Sequence, residues 1–176
     1  AFTFVARKNG KTSFIYALAW ALGILERMSG STVYVVGAVL KEAMKTYENW
    51  TYNLTRVWYP DKKAAIDDGW RILDNNMEHS ISHDDLDGGM IHLEALAGNP
   101  DAQDSFNANI FIADEVHAYK SPKQYNILKE ATKAYTNKLV IGITTAGDDV
   151  TSFCYQRLKY CQKVLDGIVQ DDAYFI

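Results

Sequence analysis

Two short, almost purely apolar runs, residues 109–113 and 139–143, constrain this chain more than any other feature. Each is short for a helix, and neither alternates polar with apolar residues as a half-exposed strand does. They read as strands covered on both faces, the environment of a parallel sheet flanked by helices. Residues 2–6 and 32–36 are similar in character, and 90–96 reads as a further strand. Segments of helical period lie between these runs: 11–28, 40–55, 121–135 and 150–165. The first is apolar nearly all round, which predicts deep burial. The second keeps Lys41, Glu42, Lys45 and Glu48 on a wet side, and the third opens on a Ser121 cap with Pro122 in its first turn. Strand and helix in alternation define an α/β protein with a mostly parallel central sheet. Residues 59–89 are polar, rich in Asp, Asn and His, and show no clear period; 98–107 reads as a loop.

Composition narrows the function classes. A length of 176 residues fits one domain, so residues 1–176 are read as a single unit. With 48% hydrophobic and 23% charged residues the chain is neither disordered nor fibrous. No apolar run approaches the ~20 residues of a membrane span. Eighteen basic against 22 acidic residues give a net charge of −4, which argues against a protein that coats nucleic acid but leaves room for a local basic face. Cys154 and Cys161 stand seven apart, a helical spacing instead of a metal or redox one, and so few cysteines suit a reducing compartment. The opening Ala-Phe-Thr-Phe reads as the middle of a strand, so residues upstream are expected and the lack of a targeting signal carries no information.

Three strands end in polar clusters: 7–12, 114–117 and 144–148. Ligands of open parallel sheets bind beyond the carboxyl ends of the strands, so the clusters are expected to converge on one crevice. In the first, Gly10-Lys11-Thr12 lies between a strand and a helix, where backbone N–H groups can cradle phosphate. Glycine allows close approach, the lysine charge reaches the β- and γ-phosphates, and the threonine hydroxyl can ligate Mg²⁺. The usual glycine that opens such a loop is replaced by Val5, and a basic solvent turn is the competing reading. In the second cluster, Asp114 and Glu115 follow four apolar residues. Asp114 can hold Mg²⁺ through water, and Glu115 can polarise an attacking water. His117 is either a polar bridge or a packed side chain. His79, His83, Asp84, Asp85 and His92 read as a solvated polar hairpin in preference to a metal site. Tyr47, Trp50, Tyr52, Trp58 and Tyr59 read as core or interface residues in preference to a base-stacking platform.

Three quoted segments carry a resemblance: Arg-Lys-Asn-Gly-Lys-Thr, Ala-Asp-Glu-Val-His-Ala-Tyr and Gly-Ile-Thr-Thr-Ala-Gly. In this order and spacing they resemble the deviant Walker A, the Walker B and the coupling motif of tailed-bacteriophage terminase large subunits. The resemblance covers essentially the whole chain, with residues 57–90 contributing little. It implies a RecA-like P-loop NTPase of the class with an additional strand, here 139–143, between the P-loop and Walker B strands. It implies ATP and Mg²⁺ as ligands. Arg7, Lys8, Asn9, Gly10, Lys11, Thr12 and Ser13 would bind nucleotide, with Arg7 also acting in catalysis. Thr12 and Asp114 would hold the metal, Glu115 would activate water, and Thr144, Thr145, Ala146 and Gly147 would couple hydrolysis to movement.

The implied role is a motor in the cytoplasm of a bacterial host, driving double-stranded DNA into a procapsid. Its implied partners are the portal protein, the small terminase subunit and further copies of itself in a ring. A neighbouring copy is expected to supply an arginine, with Arg56, Arg71 and Arg157 as candidates. The family's extreme N-terminus and C-terminal nuclease domain are expected to lie outside these residues, and no nuclease activity is expected within them. Two other readings stay open: half of a DExH-type helicase or translocase, which needs a second such domain, and a nucleotide-binding module without turnover, against which Glu115 counts.

Overall fold

A computed structural model of the chain describes every residue except 5, 7, 99–106, 120, 146, 148 and 173–176. Its elements run in the order β1 (Phe2–Phe4), α1 (Lys11–Glu26), β2 (Ser31–Gly37), α2 (Leu40–Asn53), α3 (Lys62–Asp67), β3 (Trp70–Asp74), β4 (His79–Leu86), β5 (Gly89–Ala97), β6 (Ile110–Asp114), α4 (Pro122–Ala131), β7 (Leu139–Thr144) and α5 (Phe153–Leu165). The seven strands make one sheet in the order β1-β7-β6-β2-β5-β4-β3. The pairs from β1 to β5 are parallel, and β4 and β3 extend the sheet antiparallel to β5. β7 therefore lies between the strand that precedes the Gly-Lys-Thr turn and the strand that ends in Asp114.

The period of two along each strand sorts its side chains onto two faces. Val33, Val35, Ile110, Ile112, Ile141 and Ile143 pack with Ile15 and Ala19 of α1 and with Tyr47 and Trp50 of α2. Phe111, Ala113, Val36 and Phe2 pack on the other face with Tyr125 and Leu128 of α4 and Cys161 of α5. Residues of β6 are buried on both faces, which is why that run carries no polar residue before Asp114. The closest approach of α1 to the sheet needs Gly23: a Cβ there would lie 2.7 Å from Ile91 Cδ1.

Burial of α1 differs from the sequence expectation. Only Ile15, Ala19 and Gly23 are buried, whereas Phe14, Leu25 and Met28 are 51%, 73% and 67% exposed. A helix lying on a sheet buries one stripe, and no described layer covers the opposite side of this one. The helix also ends at Glu26 and continues as a 3₁₀ turn, Arg27–Ser29, which Gly30 stops at φ +77°. α4 likewise ends at Ala131, short of 135, and α5 starts at Phe153 on a Ser152 cap.

The segment without a readable period, 59–89, holds α3, β3 and β4. Asp61 caps α3 by accepting from Ala64 N at 2.9 Å. Asn75 Oδ1 accepts from Met77 N and Glu78 N and closes the β3–β4 hairpin. This hairpin is not solvated throughout as expected: Ser80, Ser82 and His83 are buried, because β4 is an interior strand paired on both sides. Of the aromatic set, Tyr47 and Trp50 are core residues, while Tyr52 and Trp58 are exposed.

Candidate active site

The carboxyl ends of β6 and β7 and the turn before α1 meet at one edge of the sheet. The turn before α1 is left-handed at Lys8 (φ 65°) and at Gly10 (φ 71°). Gly10 is the residue before the helix, it offers no side-chain cap, and open space surrounds its missing Cβ. The first N–H groups of α1 therefore have no side-chain acceptor from the cap and stay available to an anion. Lys8, Asn9 and Ser13 are exposed, and Thr12 is half-buried in the first turn. Arg7 and Ala146, both expected at this site, lie outside the described residues.

Lys11 reaches from the helix start to the end of β6. Its Nζ lies 3.4 Å from Asp114 Oδ1 and contacts Glu115 Oε1 directly. The ammonium is thus buried in an ion pair with both carboxylates. A buried ammonium held between two carboxylates can exchange them for phosphate oxygens, which are anionic acceptors of the same kind.

Asp114 is the last residue of β6, 4% exposed, and its Oδ1 accepts from Glu115 N at 2.8 Å. Burial pushes its carboxyl above the ordinary value of 3.8, Lys11 opposes that rise, and Glu115 adds to it. Glu115 holds the backbone at φ 52° and ψ 47°, a left-handed conformation worth ~1–2 kcal/mol of strain for a residue with a Cβ. That turn sends the chain out of the strand directly into the 3₁₀ turn Val116–Ala118.

His117 is a polar bridge, which settles the alternative left open by the sequence. Its backbone N–H donates to Thr144 Oγ1 at 3.0 Å, and its Nδ1 lies 3.1 Å from the same oxygen and 3.1 Å from Glu115 Oε2. The Thr144 hydroxyl donates to Thr145 O at 2.9 Å, so it can only accept from the ring, and Nδ1 carries the proton. Cys154 of α5 also meets Thr144 Oγ1 at 3.7 Å. Thr144 and Thr145 are buried, and Gly147 is exposed beside His117. The three sequence clusters thus converge as expected. The left-handed Glu115 was not legible, because glutamate is not a residue type that marks such a turn.

A strand–turn–helix carrying Gly-Lys-Thr, facing Asp-Glu at the end of a buried strand with one strand between, defines a P-loop NTPase domain of RecA-like fold. The chain belongs to the terminase large subunit ATPase-domain family, whose model matches residues 1–163. Solved structures agree with the fold. The large terminase of bacteriophage HK97 superposes with a TM-score of 0.68 at 17% identity, over 94% of this chain and 33% of that one. The ATPase domain of a Thermus phage large terminase gives 0.58 at 12%, over 83% and 59%. The large terminase of a thermophilic bacteriophage, solved in complex with ADP, gives 0.52 at 11%, over 94% and 37%. The chain spans about a third of the HK97 protein's length. No curated protein matches the sequence. Among the described residues no helix is long and apolar enough to cross a membrane.

Proposed function

We propose that the chain binds ATP with Mg²⁺ at the Lys11–Asp114–Glu115 edge and hydrolyses it to move double-stranded DNA during packaging. The observation that carries the reading is the meeting of the buried Lys11 ammonium, at the start of α1, with two carboxylates of unequal environment at the end of β6. The thermophilic phage relative holds ADP, which supports a nucleotide as the ligand.

In this mechanism Lys11 leaves the carboxylates and takes the β- and γ-phosphates, while the N–H groups at the start of α1 receive the remaining phosphate oxygens. Thr12 and Asp114 are the residues that would hold Mg²⁺, which when bound offsets charge on the phosphates. Release from Lys11 frees Glu115 to orient a water in line with the γ-phosphorus. As the water oxygen bonds to phosphorus and the bond to the bridging oxygen breaks, Glu115 accepts the water's proton and ADP leaves with the electron pair. Lys8, Asn9 and Ser13 complete the cradle, and Arg7 counters charge on the transferring group. His117 then carries the state of Glu115 to Thr144, and Thr145, Ala146 and Gly147 pass it on toward the DNA-gripping surface.

The family supports a wider setting for this reading. The chain acts as the ATPase domain, residues 1–176, of a longer large subunit with nuclease chemistry elsewhere in it. It works in the bacterial host cytoplasm as a ring, with the portal and small subunit as partners and an arginine from a neighbouring copy completing each site. The family match favours this reading over half of a helicase.

The test is paired. Glu115→Gln keeps the side-chain size and removes the base, so ATP·Mg affinity, read with a fluorescent analogue, should survive while phosphate release falls by at least ~100-fold. Asp114→Asn should weaken Mg²⁺-dependent binding itself. Normal hydrolysis by Glu115→Gln, or loss of binding as severe as in Asp114→Asn, overturns the assignment of roles.

A further inference from the structure

A second cluster of ligating side chains lies away from the nucleotide edge. His92 and Glu94 stand two apart on β5 and therefore share one face of the sheet. β4 places Ser82 opposite His92 and Ser80 opposite Glu94, and β2 places Thr32 and Tyr34 opposite the same two residues on the other side. Glu78, two residues before Ser80, is brought to this face by the Asn75 turn that closes the hairpin. This is the face of β5 turned away from Leu93 and Ile91, which pack in the core beneath α1 and α2.

The donor atoms of Glu78, His92 and Glu94 all lie within 4.8 Å of one another, and no other three His, Cys, Asp or Glu donors among the described residues come so close. His92 Nε2 is 3.1 Å from Glu94 Oε2, with the two side chains only 24% and 15% exposed. Ser80 Oγ donates to Glu78 Oε1 at 2.6 Å and orients that carboxylate. The Tyr34 and His92 rings stand in a T-shaped arrangement with 6.1 Å between centroids. Among the described residues, no lysine or arginine pairs with Glu78 or Glu94. Two half-buried carboxylates face one imidazole, and a proton on that ring offsets only one of their charges. A divalent cation offsets both.

We propose that Glu78, His92 and Glu94 bind one transition-metal cation of the Zn²⁺ class, fastening β4 to β5. An imidazole and two carboxylates form a donor set suited to Zn²⁺, whereas Mg²⁺ and Ca²⁺ prefer oxygen alone. Tetrahedral bonds of ~2.0–2.2 Å bring donors to about 3.5 Å apart, a closure that side-chain rotation supplies on strands already held in register. Three protein ligands leave the fourth position to water. Ser80 is the positioning residue for Glu78. None of these groups belongs to the nucleotide site, so the two assignments stand or fall separately.

Co²⁺ is the probe, added to metal-free chain with Mg²⁺ in excess to occupy any carboxylates at the nucleotide edge. The expected result is one Co²⁺ per chain with visible d–d absorption of a four- or five-coordinate ion, no thiolate charge-transfer band, and displacement by Zn²⁺. Zn²⁺ should also raise Tm where Mg²⁺ does not. His92→Gln and Glu94→Gln should lose the absorption and the Zn²⁺-dependent rise, and Ser80→Ala should weaken Zn²⁺ binding ~10–100-fold. Absence of d–d bands in the unsubstituted chain overturns the proposal, and that measurement stands even where a variant fails to fold. Bands that persist in both ligand variants, or that carry thiolate character, overturn it equally.

Discussion

The β3–β4 hairpin and the nucleotide edge treat buried polar groups in opposite ways. In the hairpin, His83 Nδ1 accepts from Asp85 N at 3.1 Å, which leaves Nε2–H to donate to Asp68 O at 2.7 Å. The Tyr47 hydroxyl closes the end of β3 by donating to Leu73 O at 2.8 Å. Among the described residues of 70–86 no buried side-chain polar atom lacks a partner. At the other edge, Lys11 Nζ is buried in an ion pair with two carboxylates, the Asp114 carboxyl is pushed up, and Glu115 holds a left-handed backbone. Strained backbone, a raised carboxyl and a buried ion pair gathered beside the Gly10 turn are what the proposed nucleotide site would use. The hairpin is finished by folding alone; on our proposal the edge is finished by binding.

The sharpest way to break this contrast is Lys11→Ala. No other described cation stands under the Gly10 turn, so ATP·Mg affinity should fall by roughly 100-fold or more while the circular dichroism of the fold is kept. Unchanged affinity in a binding titration removes Lys11 from the site. The hairpin predicts the converse. His83→Ala removes a buried ring together with its bonds to Asp68 O and Asp85 N and should cost ~0.5–3 kcal/mol in urea unfolding, with ATP affinity unaltered. Loss of nucleotide binding without loss of stability would show that the two regions are not separate.

The smallest effect concerns Asp114. Its folded pKa is raised, so the native state holds the proton more tightly than the unfolded chain does. That contribution to stability is full below the ordinary value of 3.8 and is lost as pH rises through the raised value. Asp114→Asn is neutral at every pH and escapes the loss, so in the absence of nucleotide its Tm should match or exceed that of the unsubstituted chain at neutral pH. The advantage should shrink as the pH approaches 3.8. A variant markedly less stable at neutral pH would mean that the Lys11 pairing outweighs burial.

Much of the proposed site is legible in the sequence. Gly10-Lys11-Thr12 announces itself because a glycine that can turn left-handed, a cation and a hydroxyl must be consecutive to serve one phosphate. Asp114-Glu115 is conspicuous against four apolar residues. The helix capped by Ser121 and Pro122 is equally plain, since caps are local devices. Its end is not, because no glycine or proline stops it; the chain leaves the helix after Ala131 at Thr132, whose hydroxyl donates to Lys129 O. The burial of α1 departs from its sequence for a related reason: composition reports how apolar a helix is, not how many neighbours surround it.

What the sequence determined by itself is the set of elements and the residues at their ends, since period, capping and turn chemistry act over a few residues. The tertiary structure decided which of these meet. Residues 59–89 carry a weak local signal, and they became an orderly hairpin only because β5 offered β4 a free edge and a register. The contact of His117 with Thr144, 27 residues away, and the approach of Glu78 to His92 and Glu94 depend on strand neighbours that no local pattern encodes. Pairing between strands distant in sequence is settled by the packing of the whole sheet, so side chains that share a face across strands are known only once the sheet is assembled.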